Sequence, residues 1–419
     1  MIVSTSEMAR VFGRIGLLSF GGPAAQIALM HRELVEERTW LTEAQFLRAL
    51  SFCMLLPGPE AMQLATYAGW KQRGIIGGLI GGGLFVIPGA ILIAIFALIY
   101  GAYGSLPWIQ AVFLGVKATV VIIVIEALIK VSKRALISSK HLIIAALAFV
   151  ALFAFAVPFP IVIAVAAIFG AWGSHAINTA PTTPLPWRQS MTIVVIGATL
   201  WAIPIGIVAA LDLPLLRDIG LFFSTLAVVT FGGAYAVLAY MTQEVVTGFG
   251  WLTTPQMMDA LGLAETTPGP LILVTQFVGM MAGYLQGGIW TAILAGLLTL
   301  WVTFVPCFIW IFAGAPLIDW LDGRPRLTSA LSGITAAVVG VIANLSLWFA
   351  LHVFFGTVTP ISAGPLQLIA PDITTLQFTP VAIAGLAAFL LLRRHWGLPL
   401  VLLICAIVGL LCAGLGLPL

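Results

Sequence analysis

The chain has 419 residues, of which 61% are hydrophobic and 8% charged. Soluble domains carry roughly 25% charged residues, and here 18 Lys and Arg stand against 15 Asp and Glu, a net charge of +3 with no basic stripe. A soluble enzyme and a nucleic-acid binder are excluded, and the composition is that of a polytopic membrane protein.

About thirteen apolar segments follow one another, near 8–30, 45–69, 75–100, 107–130, 141–157, 160–177, 191–211, 218–241, 254–284, 288–313, 328–354, 375–392 and 397–417. The runs are continuous, which suits helices crossing a ~30 Å hydrocarbon core. The ~10-residue alternation of a membrane barrel is missing, so strands are not expected. The polar start leads straight into the first segment, which reads as a retained helix and not a cleaved signal.

That segment holds Phe20-Gly21-Gly22-Pro23 and Gln26. The loop His31 to Arg38 is rich in both charge signs, so charge sets its side of the membrane poorly. The second segment carries Arg48, then Pro57-Gly58-Pro59, Glu60 and Gln63. Gly74, Gly78 and Gly82 have the spacing of a helix-packing surface. Segment four contains two charges, Lys117 and Glu126. Pro158 and Pro160 mark either a turn or a kink between segments five and six. The polar stretch 178–190 reads as a linker, dividing the chain into an N-terminal part (1–177) and a C-terminal part (191–419).

The second part repeats the first. Phe20-Gly21-Gly22 returns as Phe231-Gly232-Gly233, Trp40-Leu41-Thr42 as Trp251-Leu252-Thr253, and Pro57-Gly58-Pro59 as Pro268-Gly269-Pro270, all at an offset of 211. Beyond these motifs the offset becomes 218, and the counterparts of Lys117 and Glu126 are Thr335 and Asn344. Seven segments precede the second copy. An odd number makes it enter the membrane from the opposite side, as an inverted-topology repeat. A kink at Pro158–Pro160 would make the count even and the repeats parallel.

Lys and Arg weigh on this count. Arg10, Arg14, Lys71, Arg73, Lys130, Lys133, Arg134, Lys140, Arg188, Arg324, Arg326, Arg393 and Arg394 fall at the N-terminus and in even-numbered loops, against Arg32, Arg38 and Arg217 in odd ones. The positive-inside rule puts the N-terminus in the cytoplasm and the C-terminus outside, and favours the odd count.

Glycine and proline inside apolar segments break helices. Freed backbone groups at membrane depth are tolerated only within protein or beside a wet cavity. The N–H groups that begin the second half of a broken helix attract anions. The four breaks therefore read either as bends for packing or as a substrate site for an anion, the latter drawing on Gln26, Gln63 and Gln276 for hydrogen bonds. Arg48 is a candidate anion partner or an interfacial snorkelling residue. Lys117 is a candidate cation for the anion or half of a structural pair. A buried carboxyl takes up a proton more readily than an exposed one, so Glu265, two residues before Thr267-Pro268-Gly269-Pro270, and Glu126 are candidate proton carriers. The four cysteines sit in apolar runs and the five histidines are scattered, so no metal site is expected. No phosphate-binding GxxxxGK[ST] and no nucleophile elbow occur, and neither a cofactor nor an enzymatic activity is expected.

The motifs Phe20 to Pro23, Trp40 to Thr42 and Leu56 to Gln63 resemble the N-terminal half of the chromate ion transporter family. Phe231 to Leu238, Gly250 to Leu252 and Thr267 to Leu271 resemble its C-terminal half. The resemblance implies a multi-pass carrier in the plasma (inner) membrane that expels chromate, driven by the proton gradient or membrane potential and conferring chromate resistance. Uptake or exchange of sulfate or a related oxyanion is the alternative. Partners are the oxyanion, the bilayer and a second copy of the chain as a homodimer. The chain departs from the family pattern at Ala264 to Pro270 and at Glu60, which set acidic groups near the breaks.

Overall fold

The computed structural model describes residues 3–172, 187–231, 234–318 and 325–416, so most of the linker, together with Gly232 and Gly233, lies outside the described residues. The chain is helical almost throughout. In order come α1 (Thr5–Leu18), α2 (Gly22–His31), a π-helical turn (Arg32–Glu37), α3 (Glu43–Leu55), α4 (Glu60–Tyr103), α5 (Pro107–Ala135), α6 (Ser139–Phe155), α7 (Phe159–Ala171), α8 (Trp187–Ala210) and α9 (Pro214–Val229). Then follow α10 (Ala234–Gln243), a second π-helical turn (Glu244–Gly248), α11 (Thr254–Thr266), a short turn (Leu271–Leu273) leading into α12 (Val274–Gly314), α13 (Pro325–Phe354), strands β1 (Val358–Ala363) and β2 (Leu366–Pro371), α14 (Phe378–Ala388) and α15 (Leu398–Gly414). Among the described residues, five stretches are long and apolar enough to cross a bilayer: Glu60–Tyr103, Pro107–Ala135, Trp187–Ala210, Leu271–Gly314 and Thr328–Phe354.

The repeated motifs have distinct local jobs. Trp-Leu-Thr starts a helix. Thr42 accepts from the Gln45 N–H while the Gln45 side chain accepts from the Thr42 N–H, a reciprocal cap. Thr253 and Gln256 do the same at α11. The tryptophan N–H closes the preceding π turn, Trp40 onto the Leu34 carbonyl and Trp251 onto that of Val245. Phe-Gly-Gly ends one helix and opens the next, with Gly21 and Gly22 at φ +86° and +78°. Only residues without a side-chain penalty hold such angles cheaply. Pro-Gly-Pro does likewise, with Gly58 at φ +107° and Gly269 at φ +88°.

The β-hairpin lies in the stretch between segments where no element was expected. β1 and β2 pair antiparallel, with Ala363 opposite Leu366. Val358, Thr359, Ile361 and Ile369 favour extended backbone, and Gly364 at φ +60° makes the two-residue turn.

The chain divides into two compact units, each drawing on both sequence repeats: Met1–Gly101, His175–Ala234 and Thr267–Pro325 in one, Ala102–Ser174, Tyr235–Thr266 and Arg326–Leu419 in the other. In the first unit α4 folds back on itself. It leaves helical geometry at Arg73 and Gly74, and a Cβ on Gly69 would run into the Gly77 carbonyl, as one on Gly81 would into that of Ala65. The glycines let a short arm (60–72) lie against a long arm (75–103). α12 has the same design, with the break at Gly288 (φ +73°) and Gly283 against the Thr291 carbonyl.

α1 runs alongside the long arm of α4 in the same direction, Gly16 against the Leu84 carbonyl and Gly81 against the Phe12 ring. α2 then returns: Arg14 Nη1 lies 3.4 Å from Glu33 Oε1, and the Phe12 and Trp40 rings are 5.9 Å apart. The Gln72 amide donates to the Trp40 carbonyl at 2.6 Å. The chain thus makes two successive helical hairpins with Phe-Gly-Gly and Pro-Gly-Pro at their tips and their open ends near residue 74. The short arm of α12 heads for the opposite end of the long arm of α4. Gln276 donates to the Ala90 carbonyl, Phe277 stacks edge-on to Tyr100, and Gly101 abuts the Tyr284 ring.

In the second unit α5 packs on α15 through glycines, Gly115 against the Cys405 carbonyl and Gly409 against that of Ala111. At Pro158 the chain turns: α6 ends at Ala156 (φ +48°), and Lys140 near its start donates to the Gly170 and Trp172 carbonyls at the end of α7.

Candidate functional site

In the first unit the breaks of one repeat meet the chain of the other, two by two. The Gly58 N–H donates to the Thr230 carbonyl at 2.9 Å, and the Gly269 N–H donates to the Ser19 carbonyl at 2.9 Å. Each proline–glycine tip is therefore held by the residue that precedes the phenylalanine–glycine tip of the other repeat. The Gly269 contact lies beside the middle of the long arm of α4, where a Cβ on Gly89 would strike the Pro268 carbonyl, and the Gly58 contact lies beside Cys307 on the long arm of α12.

Gln26 binds this arrangement together. It is 2% exposed, and its amide donates to the Ser19 carbonyl (3.2 Å) and to the Gly269 carbonyl (2.7 Å). Gln63 donates to the Pro57 carbonyl at 2.7 Å. Among the described residues the buried Oε1 atoms of Gln63 and Gln276 meet no donor. Leaving such an acceptor dry costs about 1–3 kcal/mol.

The chemistry available to an anion is backbone. α2 begins at Gly22 with no side chain capping it, and Gly21, Ala24 and Ala25 are exposed. The turn before α12, behind Pro270, also has no side-chain cap. Free N–H groups of a helix start and the helix dipole together attract negative charge. At the start of α4 Glu60 supplies that charge itself. Phe20 is exposed at the first tip and Phe231 partly buried at the second. The apolar groove of about 500 Å³ lined by residues of α4, α8 and α12, among them Ile87, Gly197 and Trp301, offers an anion nothing.

The charged candidates stand differently. Arg48 is exposed on α3, its Nε donating to the Ala44 carbonyl. Lys117 on α5 forms a 2.9 Å ion pair with Asp259 on α11, the lysine side chain 13% and the aspartate 0% exposed. Glu126 pairs with Lys130 one turn away and not with Lys117. Glu265 is buried and accepts a 3.0 Å hydrogen bond from the Tyr235 hydroxyl. These five residues of the second unit, 117, 126, 235, 259 and 265, have Thr335, Asn344, Ala24, Arg48 and Met54 at the equivalent repeat positions.

Sequence reasoning missed Ser19, Thr230, Asp259 and Tyr235 as site residues. Ser19 and Thr230 carry a visible signal: both are hydroxyl residues immediately before the phenylalanine, and each hydroxyl donates one turn back, to Ile15 and Leu226. Asp259 occupies the repeat position of Arg48, a charge reversal that only the contact with Lys117 explains.

The family model described as chromate transporter matches residues 6–171 and 217–410. The chain belongs to the chromate transporter family. It is 31% identical over 338 residues to the chromate transport protein of Cupriavidus metallidurans, covering 81% of this chain and 80% of that one. It is 32% identical to the probable chromate transport protein of Synechococcus elongatus (81% and 83% covered) and 30% identical to the chromate transport protein of Pseudomonas aeruginosa (82% and 81%). No solved structure matches the chain. As a member of the chromate transporter family the chain is a multi-pass membrane transporter and not an enzyme.

Proposed function

We propose that this chain is a secondary carrier that exports chromate, a tetrahedral dianion shaped like sulfate, from the cytoplasm across the inner membrane. The reciprocal pairing of the breaks, Gly58 with Thr230 and Gly269 with Ser19, carries this reading. It sets breaks of the two repeats against each other, where a dianion would meet the N–H groups of helix starts, with Glu60 at the start of α4 the acidic exception. Phe20, Gly21, Gly22, Pro23, Gln26, Pro57, Gly58, Pro59 and Gln63 would form one side of the site, and Phe231, Gly232, Gly233, Pro268, Gly269, Pro270 and Gln276 the other. Bringing a dianion into a low-dielectric site without a cation costs several kcal/mol. Arg48 and Lys117 are the candidate cations of this reading: the exposure of Arg48 suits it to the approach of the anion, and Lys117 is held by Asp259 within the second unit.

The repeats are read as inverted. The short arm of α4 returns to the first end of the long arm and the short arm of α12 runs to its last end, which supports two re-entrant pairs of hairpins approaching from opposite membrane faces. The turn at Pro158 keeps an odd number of crossings between them. The same reading moves the loop of Arg32 and Arg38 to the cytoplasmic face with the N-terminus, leaving Arg217 nearly alone outside.

Glu265 is the coupling group of this reading. Ionised, it repels a dianion; protonated, it does not. The deciding experiment is counterflow of labelled chromate and sulfate in proteoliposomes under an imposed pH gradient. Accumulation of chromate that follows the gradient, and its loss of gradient response in Glu265→Gln, support export coupled to protons. Exchange of sulfate for sulfate or chromate with no response to the gradient overturns it in favour of an oxyanion exchanger, a reading that the acidic Glu60 and Glu265 beside the breaks favour.

A further inference from the structure

Glu265 closes the last turn of α11 just before the second Pro-Gly-Pro, and Tyr235 opens the first turn of α10 just after the second Phe-Gly-Gly. The hydroxyl of one donates to the carboxylate of the other at 3.0 Å. This bond joins the start of α10 to the end of α11. At the equivalent positions of the first repeat stand Ala24 and Met54, which cannot form it.

We propose that Tyr235 is the positioning residue of the coupling carboxyl, a latch that joins α10 to α11 while Glu265 is ionised and slackens when Glu265 takes up its proton. The inference rests on Glu265 being the coupling group. An ionised carboxylate accepts a phenol hydrogen bond strongly, because the bond is charge-assisted; a neutral carboxyl accepts it weakly. Proton uptake therefore does two things at one place. It removes the negative charge that opposes a dianion, and it loosens the helix that begins at the second break. The anion site and the proton site are coupled through the start of α10, not through direct contact. Because the pair occurs in one repeat only, each chain has one latch for two sets of breaks.

The other ionisable groups nearby are already engaged. On α5, Glu126 acts on the pair through its charge while paired with Lys130, and Lys117 is bound to Asp259 of α11. On the α10 side Tyr240 and Glu244 follow, at the far end of the helix and in the π turn after it.

The test is chromate counterflow in proteoliposomes as a function of pH for Tyr235→Phe, Glu265→Gln and the double variant, with size-exclusion profiles checking that each folds; phenylalanine keeps the ring and removes only the donor. In Tyr235→Phe the carboxylate loses a donor to its ionised form, so the pH at which transport changes should rise by about one unit or more. In the Glu265→Gln background Tyr235→Phe should have no further effect on the pH profile. A Tyr235→Phe profile identical to the parent, while Glu265→Gln has lost its gradient response, overturns the latch and leaves the coupling group intact. A Glu265→Gln variant with parental gradient response overturns the coupling reading and the latch with it. A Tyr235→Phe effect that persists undiminished in the Glu265→Gln background shows a structural role and also overturns the latch.

Discussion

Gln26 holds two carbonyls that helix breaks have set free, Ser19 in its own repeat and Gly269 in the other. An apolar replacement leaves the buried Gly269 carbonyl without that donor, at about 1–3 kcal/mol, while the Ser19 carbonyl keeps the Gly269 N–H. Gln26→Leu should lower the thermal unfolding midpoint in detergent and weaken chromate exchange together, because the same bonds hold the site and the fold. Lys117 and Asp259 set a different balance. Removing one partner of a buried pair costs about 3–5 kcal/mol, since the other charge is stranded, whereas removing both costs much less. Lys117→Gln should therefore melt well below the parent, and Lys117→Gln with Asp259→Asn should recover most of that loss. If the recovered double variant also recovers chromate transport, Lys117 is structural and the backbone N–H groups hold the anion alone.

Helical elements in this chain are set by where glycines allow backbones to touch. Gly77 faces the Gly69 carbonyl in the α4 hairpin, whereas Gly83 has only the Ile87 side-chain tip at 4.0 Å. Gly77→Ala should destabilise by about 1–3 kcal/mol through overpacking, and Gly83→Ala should be neutral or gain up to about 1 kcal/mol of helix propensity; thermal melts of the two variants make the comparison. The end of α2 is fastened by charge. His31 donates toward Glu43 (2.7 Å) and Glu36 (3.0 Å), and the bond to Glu43, with that to Glu36, raises its pKa above the ordinary 6.5 against the opposing effect of burial. A raised value in the fold means that the protonated pair stabilises fully below pH 6.5 and that this contribution fades as pH rises through the folded value. His31→Gln should therefore flatten the decline in thermal stability as pH rises above 6.5 while leaving the alkaline melting point little changed.

At the scale of the molecule, the hairpin geometry makes a topological forecast. Cysteines placed at Arg38, Arg73 and Lys140 should react with an impermeant thiol reagent from the cytoplasmic side, and one at Arg217 from outside. Arg38 decides the matter. A first segment that spans the membrane puts it outside, and a re-entrant pair α1–α2 puts it inside. Outside labelling at Arg38 would falsify the re-entrant reading while leaving the chain's membership of the chromate transporter family untouched.

The sequence by itself determined that the chain is a helical membrane transporter of this family, where its helices break, and that the breaks come in matched pairs. Those are local properties: a glycine or proline in an apolar run interrupts a helix wherever the chain goes, and the Thr42–Gln45 and Thr253–Gln256 caps are complete within one turn. The tertiary structure decided what the breaks meet. Gly269 finding Ser19, Gly58 finding Thr230, Lys117 finding Asp259 and Tyr235 finding Glu265 are contacts between distant segments. Helical period alone could not foretell them, because in an apolar chain every face is apolar and periodicity no longer says which side faces protein and which faces lipid. For the same reason the spans were legible, whereas the Pro-Gly-Pro segments read equally as broken spans or as re-entrant ones. A re-entrant hairpin and a spanning helix have the same composition; what separates them is whether the open ends meet, as Arg14 and Glu33 do, and only folded backbones can bring them to that point.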